Sequence, residues 1–270
     1  MTDTEFFLSQ FSAIYPYSHC VWRIGEAAAL VKYLPFRGAC LDLGCGDGSY
    51  MKIMLERVGK PRHEDGTPGM MIGLDPQAKE ISKASKLGIY DRLHVGYSTK
   101  LPAEDASLDM VFSNSVVEHI EDKHGTIEEV ARALKFGGKY LFSAPSENFT
   151  PGLSFGKSLG AWLNRTWSGA INRKFKHYWL QSPQAWKEDL AQHGLTLKAW
   201  RYTLTPENLA LWEKYLILSY LQHIPAKRLG WVPGSGMSRK ALGSGKVCLL
   251  EPEDLALGGN LILCAEKSRL

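Results

Sequence analysis

The chain has 270 residues, 32 basic against 28 acidic, with 44% hydrophobic and 22% charged residues. This composition excludes a disordered chain, and the length excludes a peptide module and allows a large core. A net charge of +4 does not by itself indicate nucleic acid, yet residues 146–250 hold 14 basic and 5 acidic residues against 18 and 23 elsewhere; that basic stretch fits either an anionic partner or a solvated face.

The start, Met1-Thr-Asp-Thr-Glu, has neither the basic region nor the apolar stretch of a signal peptide, and no run of about 18 apolar residues occurs. A cytoplasmic, non-spanning protein is expected. Cys20, Cys40, Cys45, Cys248 and Cys264 form an odd set without CxxC pairs, so neither a disulfide framework nor a metal site is expected.

Ala39-Cys-Leu-Asp-Leu43 reads as a buried strand stopped by Gly44-Cys-Gly-Asp-Gly48, and residues 49–58 have helical spacing. A polar loop follows over 59–69. A second strand then ends at Asp75, residues 77–87 read as a helix, 92–96 as a third strand and 108–113 as a fourth. Thr126-Ile-Glu-Glu129 is a capping-box pattern that predicts a helix start, with Gly137-Gly138 placed to end it and a fifth strand over 139–144. The alternation breaks after Pro145. It resumes at Ser182-Pro183, which predicts a helix to His193 stopped by Gly194, then a strand over 195–204. Thr205-Pro206 opens a helix predicted to end at Ile224, before Pro225; residues 226–258 are rich in Gly, Ser and Pro, and 260–266 form a last strand. Strand–helix alternation of this kind predicts an α/β fold with a mostly parallel sheet and helices on both faces, whose ligands sit at the carboxyl ends of the strands.

The turn at 44–48 needs its glycines if a ligand approaches the backbone, and the helix behind it would offer N–H groups to an anionic moiety. A dinucleotide fingerprint requires Gly or Ala where Ser49 stands. Asp75, closing the second strand, is placed to accept hydrogen bonds from two ribose hydroxyls, or to cap the next helix through Asp75-Pro76; the two roles are compatible.

Leu41-Asp-Leu-Gly-Cys-Gly-Asp-Gly48, Gly73-Leu-Asp-Pro76, Leu101-Pro102 with Ser107-Leu-Asp-Met-Val-Phe112, Ser115-Val-Val-Glu-His-Ile120 and Leu134-Lys-Phe-Gly-Gly138 occur in this order. With them the chain resembles the class I S-adenosylmethionine-dependent methyltransferases, in the broad group typified by the ubiquinone and menaquinone enzymes. The resemblance implies a doubly wound, Rossmann-like, seven-stranded sheet with the last strand antiparallel. The organisation it implies is an N-terminal helical lid over 1–36, a cofactor-binding core over 37–145, a lid insertion over 146–181, a core helix and strand over 182–204, a second, helical insertion over 205–258 and a final core strand over 259–270. It also implies that S-adenosyl-L-methionine is held by Asp42, Gly44, Cys45, Gly46 and Gly48 around the methionyl end, by Asp75 and Pro76 on the ribose, and by Ser113 and Asn114 beside the sulfonium. The family commonly has an acidic residue followed by Ala after the third strand; here Tyr97-Ser98 stands there, so the Tyr97 ring or hydroxyl, or the Ser98 backbone, would meet the adenine.

Methyl transfer asks mainly for alignment, and a base is useful when the acceptor is a hydroxyl. His119 is the first candidate base; His177 and His19 are further ones. The leading expectation is methylation of a small or lipid-like acceptor. Peripheral membrane contact and a homodimer are compatible with it, the former through the aromatic and basic stretch 155–179 and the apolar helix after Pro206. The alternatives are an RNA or protein methyltransferase docking through 146–250, against which no nucleic-acid-binding module is recognised, and a non-catalytic S-adenosylmethionine-binding protein.

Overall fold

The computed structural model describes residues 1–155, 160–229 and 255–269, which form two compact units. The stretch 230–254, with Trp231 and Cys248 and most of the Gly-, Ser- and Pro-rich region, lies outside the described residues.

One unit comprises Val31–Pro145, Tyr178–Trp200 and Leu261–Leu270. Its strands are β1 (Ala39–Leu43), β2 (Met70–Asp75), β3 (Arg92–Val95), β4 (Leu108–Asn114) and β5 (Leu134–Pro145), joined by β6 (Leu195–Thr203) and β7 (Asn260–Lys267). They form a mixed seven-stranded sheet in the order β3-β2-β1-β4-β5-β7-β6, with parallel pairing from β3 through β5 and the last strand antiparallel. Cys40, Leu41 and Leu43 of β1 are buried, as are Met71, Ile72 and Leu74 of β2 and Met110, Val111 and Phe112 of β4. Central parallel strands are covered on both faces, which is why these segments read as continuous apolar runs. The strand order reverses between β1 and β4, the place where open α/β sheets leave a crevice at their carboxyl ends.

The connecting helices of this unit are α3 (Ser49–Val58), α4 (Ala78–Ala84), α5 (Lys123–Ala133) and α8 (Pro183–Gln192). Glycines delimit α3: Gly48, at φ 78°, precedes it, and Gly59, at φ 85°, follows it. The Ser182 side chain caps α8 by accepting from the Ala185 N–H, as the Ser-Pro pair predicts.

Two expectations fail here. Thr126 does not start α5. The cap is Asp122, whose carboxylate accepts from the Gly125 N–H at 2.8 Å, one turn earlier than the capping-box pattern suggested. Thr126 and Glu129 instead face the 97–101 loop: Thr126 Oγ1 is 2.7 Å from Ser98 Oγ, and Glu129 accepts from the Leu101 N–H at 2.9 Å. Nor do Gly137 and Gly138 end the helix. The chain is extended from Leu134, and the register against β4 jumps from Leu108↔Leu134 to Met110↔Lys139, so the glycines form a bulge with Gly137 at φ 77°.

The other unit comprises Met1–Leu30, Ser146–His177 and Arg201–Asn260. It contains α1 (Asp3–Ile14), α2 (Tyr17–Leu30), the short α6 (Phe149–Gly152), α7 (Ala161–Phe175) and α9 (Pro206–Leu229). Helix α9 runs past Pro225, where the sequence predicted its end. Its Leu209, Trp212 and Leu216 are buried at helical spacing, and α2 packs against it, with the Tyr17 ring centroid 3.7 Å from that of Tyr215 and Trp22 5.5 Å from Trp212. The apolar character of the first half of α9 is therefore spent inside its own unit. Asn260 closes the unit by donating to both Glu26 Oε1 and Thr203 Oγ1 at 3.1 Å.

Candidate cofactor site

A cavity of about 490 Å³ opens at the carboxyl ends of β1 to β4. Its lining comes from Leu43 and Gly44 after β1, from Leu74, Asp75, Pro76 and Gln77 after β2, and from Gly96, Tyr97 and Ser98 after β3. Ser115, Val116, His119, Ile120 and Glu121 after β4 complete it together with Tyr178.

The three glycines of the turn behave differently. A Cβ on Gly44 would lie 2.4 Å from Val116 Cγ2, and one on Gly48 would meet Leu87 and Tyr90 at 3.0 and 3.1 Å. Both are glycine because the protein's own side chains fill the space. Gly46, at φ 55°, has nothing within 4 Å of its Cβ position, so here the backbone faces open space, although Gly46 does not itself line the cavity.

The amides of the turn are less open than the sequence suggested. Gly44 and Cys45 donate to the Leu74 carbonyl at 2.8 and 3.0 Å, Gly48 donates to Cys45, Ser49 to Asp47 Oδ1, and Gly46 to Asp75 Oδ2 at 3.0 Å. A phosphate-cradling turn presents such amides to its ligand. This one spends the Gly44, Cys45 and Gly46 amides on the end of β2 and those of Gly48 and Ser49 within the turn, which argues against a dinucleotide pyrophosphate.

Asp75 is 7% exposed, and its carboxylate is anchored by two backbone amides. Its Oδ2 takes the Gly46 amide, its Oδ1 takes the Gln77 amide at 2.8 Å just before α4, and the residue borders the cavity. Tyr97 stands at the rim with its side chain 73% exposed, while Ser98 is buried and tied to Thr126. Asp42, Cys45, Gly46, Gly48, Ser113 and Asn114 are not among the lining residues. Asn114 Oδ1 accepts from Ser143 Oγ at 3.0 Å, and Ser113 is buried within the sheet. Burial pushes the Cys45 thiol well up, with Asp42 and Asp75 adding to the effect, so it is not a nucleophile.

His119 is the one candidate base that borders the cavity. It sits on a 3₁₀ turn (Val117–His119), half-exposed, with Nε2 3.7 Å from the buried Glu118 carboxylate. The strap at 178–179 is pinned to this turn: Tyr178 N–H donates to the Glu118 carbonyl at 2.8 Å and Trp179 Nε1 to the Ile120 carbonyl at 2.7 Å. His19 and His177 belong to the other unit. His19 stacks on Tyr15, and burial, with Arg23 adding to it, lowers it to about 4, which leaves a weak base. His177 lies 3.3 Å from Asn172 Oδ1 among Phe149 and Phe175.

Sequence reasoning missed Tyr90. Its hydroxyl donates to Asp42 Oδ2 at 2.6 Å, and its ring occupies the space beside Gly48 and Gly73. Nothing in the local sequence around Ile89-Tyr-Asp91 signals this.

Residues 41–142 match the model of the methyltransferase domain family. They form a class I S-adenosylmethionine-dependent methyltransferase domain. Among curated relatives of the chain, a malonyl-[acyl-carrier protein] O-methyltransferase of Marinomonas sp. is 28% identical over 160 residues, 57% of this chain and 52% of the relative. A tRNA (carboxymethyluridine(34)-5-O)-methyltransferase of Schizosaccharomyces pombe is 33% identical over 128 residues, 45% of this chain and 47% of the relative. The match thus spans about half the length of these relatives. Among solved structures, geranyl diphosphate C-methyltransferase from Streptomyces coelicolor A3(2), in complex with Mg2+, geranyl diphosphate and S-adenosyl-L-homocysteine, superposes with a TM-score of 0.58 at 17% identity, over 93% of this chain and 84% of that one. That likeness establishes the fold, and the methyl donor of the family is S-adenosylmethionine.

Proposed function

We propose that this chain is an S-adenosylmethionine-dependent methyltransferase acting on a small-molecule or lipid-like acceptor, with the cofactor held in the 490 Å³ cavity. The observation that carries the reading is Gly46, the glycine with an empty Cβ position, joined by its amide to Asp75 on the cavity wall. A bare backbone beside a carboxylate suits a ligand that pairs a close-packing chain with a vicinal diol. In this reading Asp42, Gly44, Cys45, Gly46 and Gly48 surround the methionyl end, Ser113 and Asn114 support the sulfonium side, Asp75 and Pro76 take the ribose, and Tyr97 with Ser98 borders the adenine. When bound, the cofactor supplies an electrophilic methyl group on a positively charged sulfur.

The chain's own part is alignment and, for a hydroxyl acceptor, proton removal. His119 can accept that proton at Nε2, with Glu118 stabilising the imidazolium from 3.7 Å. Calorimetry with S-adenosylhomocysteine and with NAD tests the cofactor: the first should bind and the second should not, and the reverse result overturns the reading. In folded Asp75→Ala, S-adenosylhomocysteine affinity should fall by about 1.5–3 kcal/mol, the range for hydrogen bonds to a charged group.

One observation favours a lipid-like acceptor met at a membrane surface over a soluble one. The solvent side of α7 exposes Trp162 at 73% and Leu163 at 39%, together with Arg165, Thr166, Ala170 and Arg173, and residues 160–178 contain no Asp or Glu. Aromatic and cationic groups on one helix face suit anionic headgroups. Among the described residues no helix is long and apolar enough to cross a membrane. Co-sedimentation with phosphatidylserine vesicles in low salt, lost in Arg165→Glu with Arg173→Glu, is expected. Retention on RNA without vesicle binding would replace this reading with that of a nucleic-acid methyltransferase.

A further inference from the structure

The Tyr90 ring lies across the underside of the glycine turn. Its Cε2 is 3.1 Å from where a Cβ on Gly48 would stand, and its Cδ1 is 3.1 Å from the same point on Gly73 of β2. The hydroxyl continues to the end of β1, donating to Asp42 Oδ2 at 2.6 Å. One side chain therefore touches β1, β2 and the turn together, from a segment next to β3. Asp42 is 5% exposed, and its ladder partners, Gly73 and Phe112, carry no charge. The titratable groups facing it are Tyr90, Asp75 and Cys45, with Asp47 acting on Tyr90.

We propose that Tyr90 is a positioning residue for cofactor binding: its ring sets the spacing of the glycine turn from β2, and its hydroxyl holds the Asp42 carboxylate behind that turn. The inference rests on the cofactor reading above. Tyr90 acts through Asp42 and the turn, since it does not border the cavity. Burial and the neighbouring anion Asp42 keep the phenol far above its ordinary range, so it remains a donor at every physiological pH. Burial raises the Asp42 carboxyl to about 7, the hydrogen bond from Tyr90 works against that rise, and the nearby Asp75 adds to it. Asp42 is thus half-ionised near neutral pH, and the phenol tips the balance toward the anion. The ammonium group shared by S-adenosylmethionine and S-adenosylhomocysteine is better held by the anion.

The test titrates S-adenosylhomocysteine into wild type, Tyr90→Phe, Asp42→Asn and the double variant between pH 6 and 9. Phenylalanine keeps the ring and removes the hydroxyl alone, and far-UV circular dichroism checks that each variant is folded. Wild-type affinity should fall as pH drops through about 7. Tyr90→Phe should bind about ten-fold more weakly near neutrality, the scale of one charge-assisted hydrogen bond, and regain most of the loss at high pH as Asp42 ionises. Asp42→Asn should bind weakly with a flat pH profile, to which Tyr90→Phe adds nothing. A Tyr90→Phe curve that matches wild type at every pH, a loss independent of pH, or fully additive losses in the double variant would each overturn the proposal. Wild type that fails to bind S-adenosylhomocysteine at all removes the cofactor reading and this inference with it, whereas wild-type binding with an unchanged Tyr90→Phe removes this inference alone.

Discussion

Two buried carboxylates, one in each compact unit, are treated in opposite ways. Glu213, on α9 and 1% exposed, accepts from the Ser154 N–H and hydroxyl at 2.7 Å, the Phe155 N–H at 3.0 Å and Trp167 Nε1 at 2.6 Å. Asp42 receives one phenolic hydrogen bond among the described residues and has Asp75 for a neighbour. A carboxylate saturated with donors fastens segments together. One left short of donors beside a second acid costs stability and is retained where its charge has a use.

Removing each carboxylate should separate these roles. Glu213→Ala leaves four donors without their acceptor and should destabilise the protein by about 3–5 kcal/mol in urea unfolding, the largest effect expected. Asp42→Asn should do the opposite above neutral pH. The folded carboxyl, raised from 3.8 to about 7, binds its proton more tightly than the unfolded one, so its stabilising contribution is full below pH 4 and is lost as pH rises through 7. Wild type should therefore lose stability across this window, by up to about 4 kcal/mol. Asp42→Asn should lack that slope and unfold at higher denaturant concentration at pH 8, while binding cofactor more weakly. A variant less stable than wild type at pH 8 would make Asp42 a fastener after all.

The glycine turn sharpens the contrast on a smaller scale. Gly46→Ala introduces strain at φ 55° but meets no neighbour, so it should lose about 1–2 kcal/mol of stability and a larger share of S-adenosylhomocysteine affinity. Gly48→Ala also crowds Leu87 and Tyr90 and should lose more stability in thermal unfolding. The smallest effect belongs to the rim. Tyr97→Ala should weaken cofactor binding by about 1 kcal/mol and Tyr97→Phe by almost nothing if the ring packs on the adenine; equal losses in calorimetry would assign the contact to the hydroxyl.

The strands from β1 to β5, the glycine turn and Asp75 were legible because apolar runs, glycines and a strand-ending acid are local signals. What escaped was set by partners distant in the chain. Tyr90 reaches Asp42 across 48 residues. Thr126, read as a cap, is drawn to Ser98 across 28 residues, and Asp122 takes the capping position. The three glycines look alike in sequence, and only the placement of Val116, Leu87 and Tyr90 shows which one faces open space. Pro225 failed as a stop signal, since α9 continues to Leu229.

The sheet order has a consequence for how the protein is made. β7, which ends at Lys267, lies between β5, complete at Pro145, and β6, complete at Thr203. At a synthesis rate of about 5–20 residues per second, the growing chain carries β5 with an unpaired edge for roughly ten seconds before its partner is made. During that interval β6 has no neighbour in the sheet, and Asn260 has yet to tie Glu26 to Thr203. Both units are completed by the same short stretch, 260–267, so the nascent protein presents an open, aggregation-prone strand edge to chaperones until that stretch leaves the ribosome.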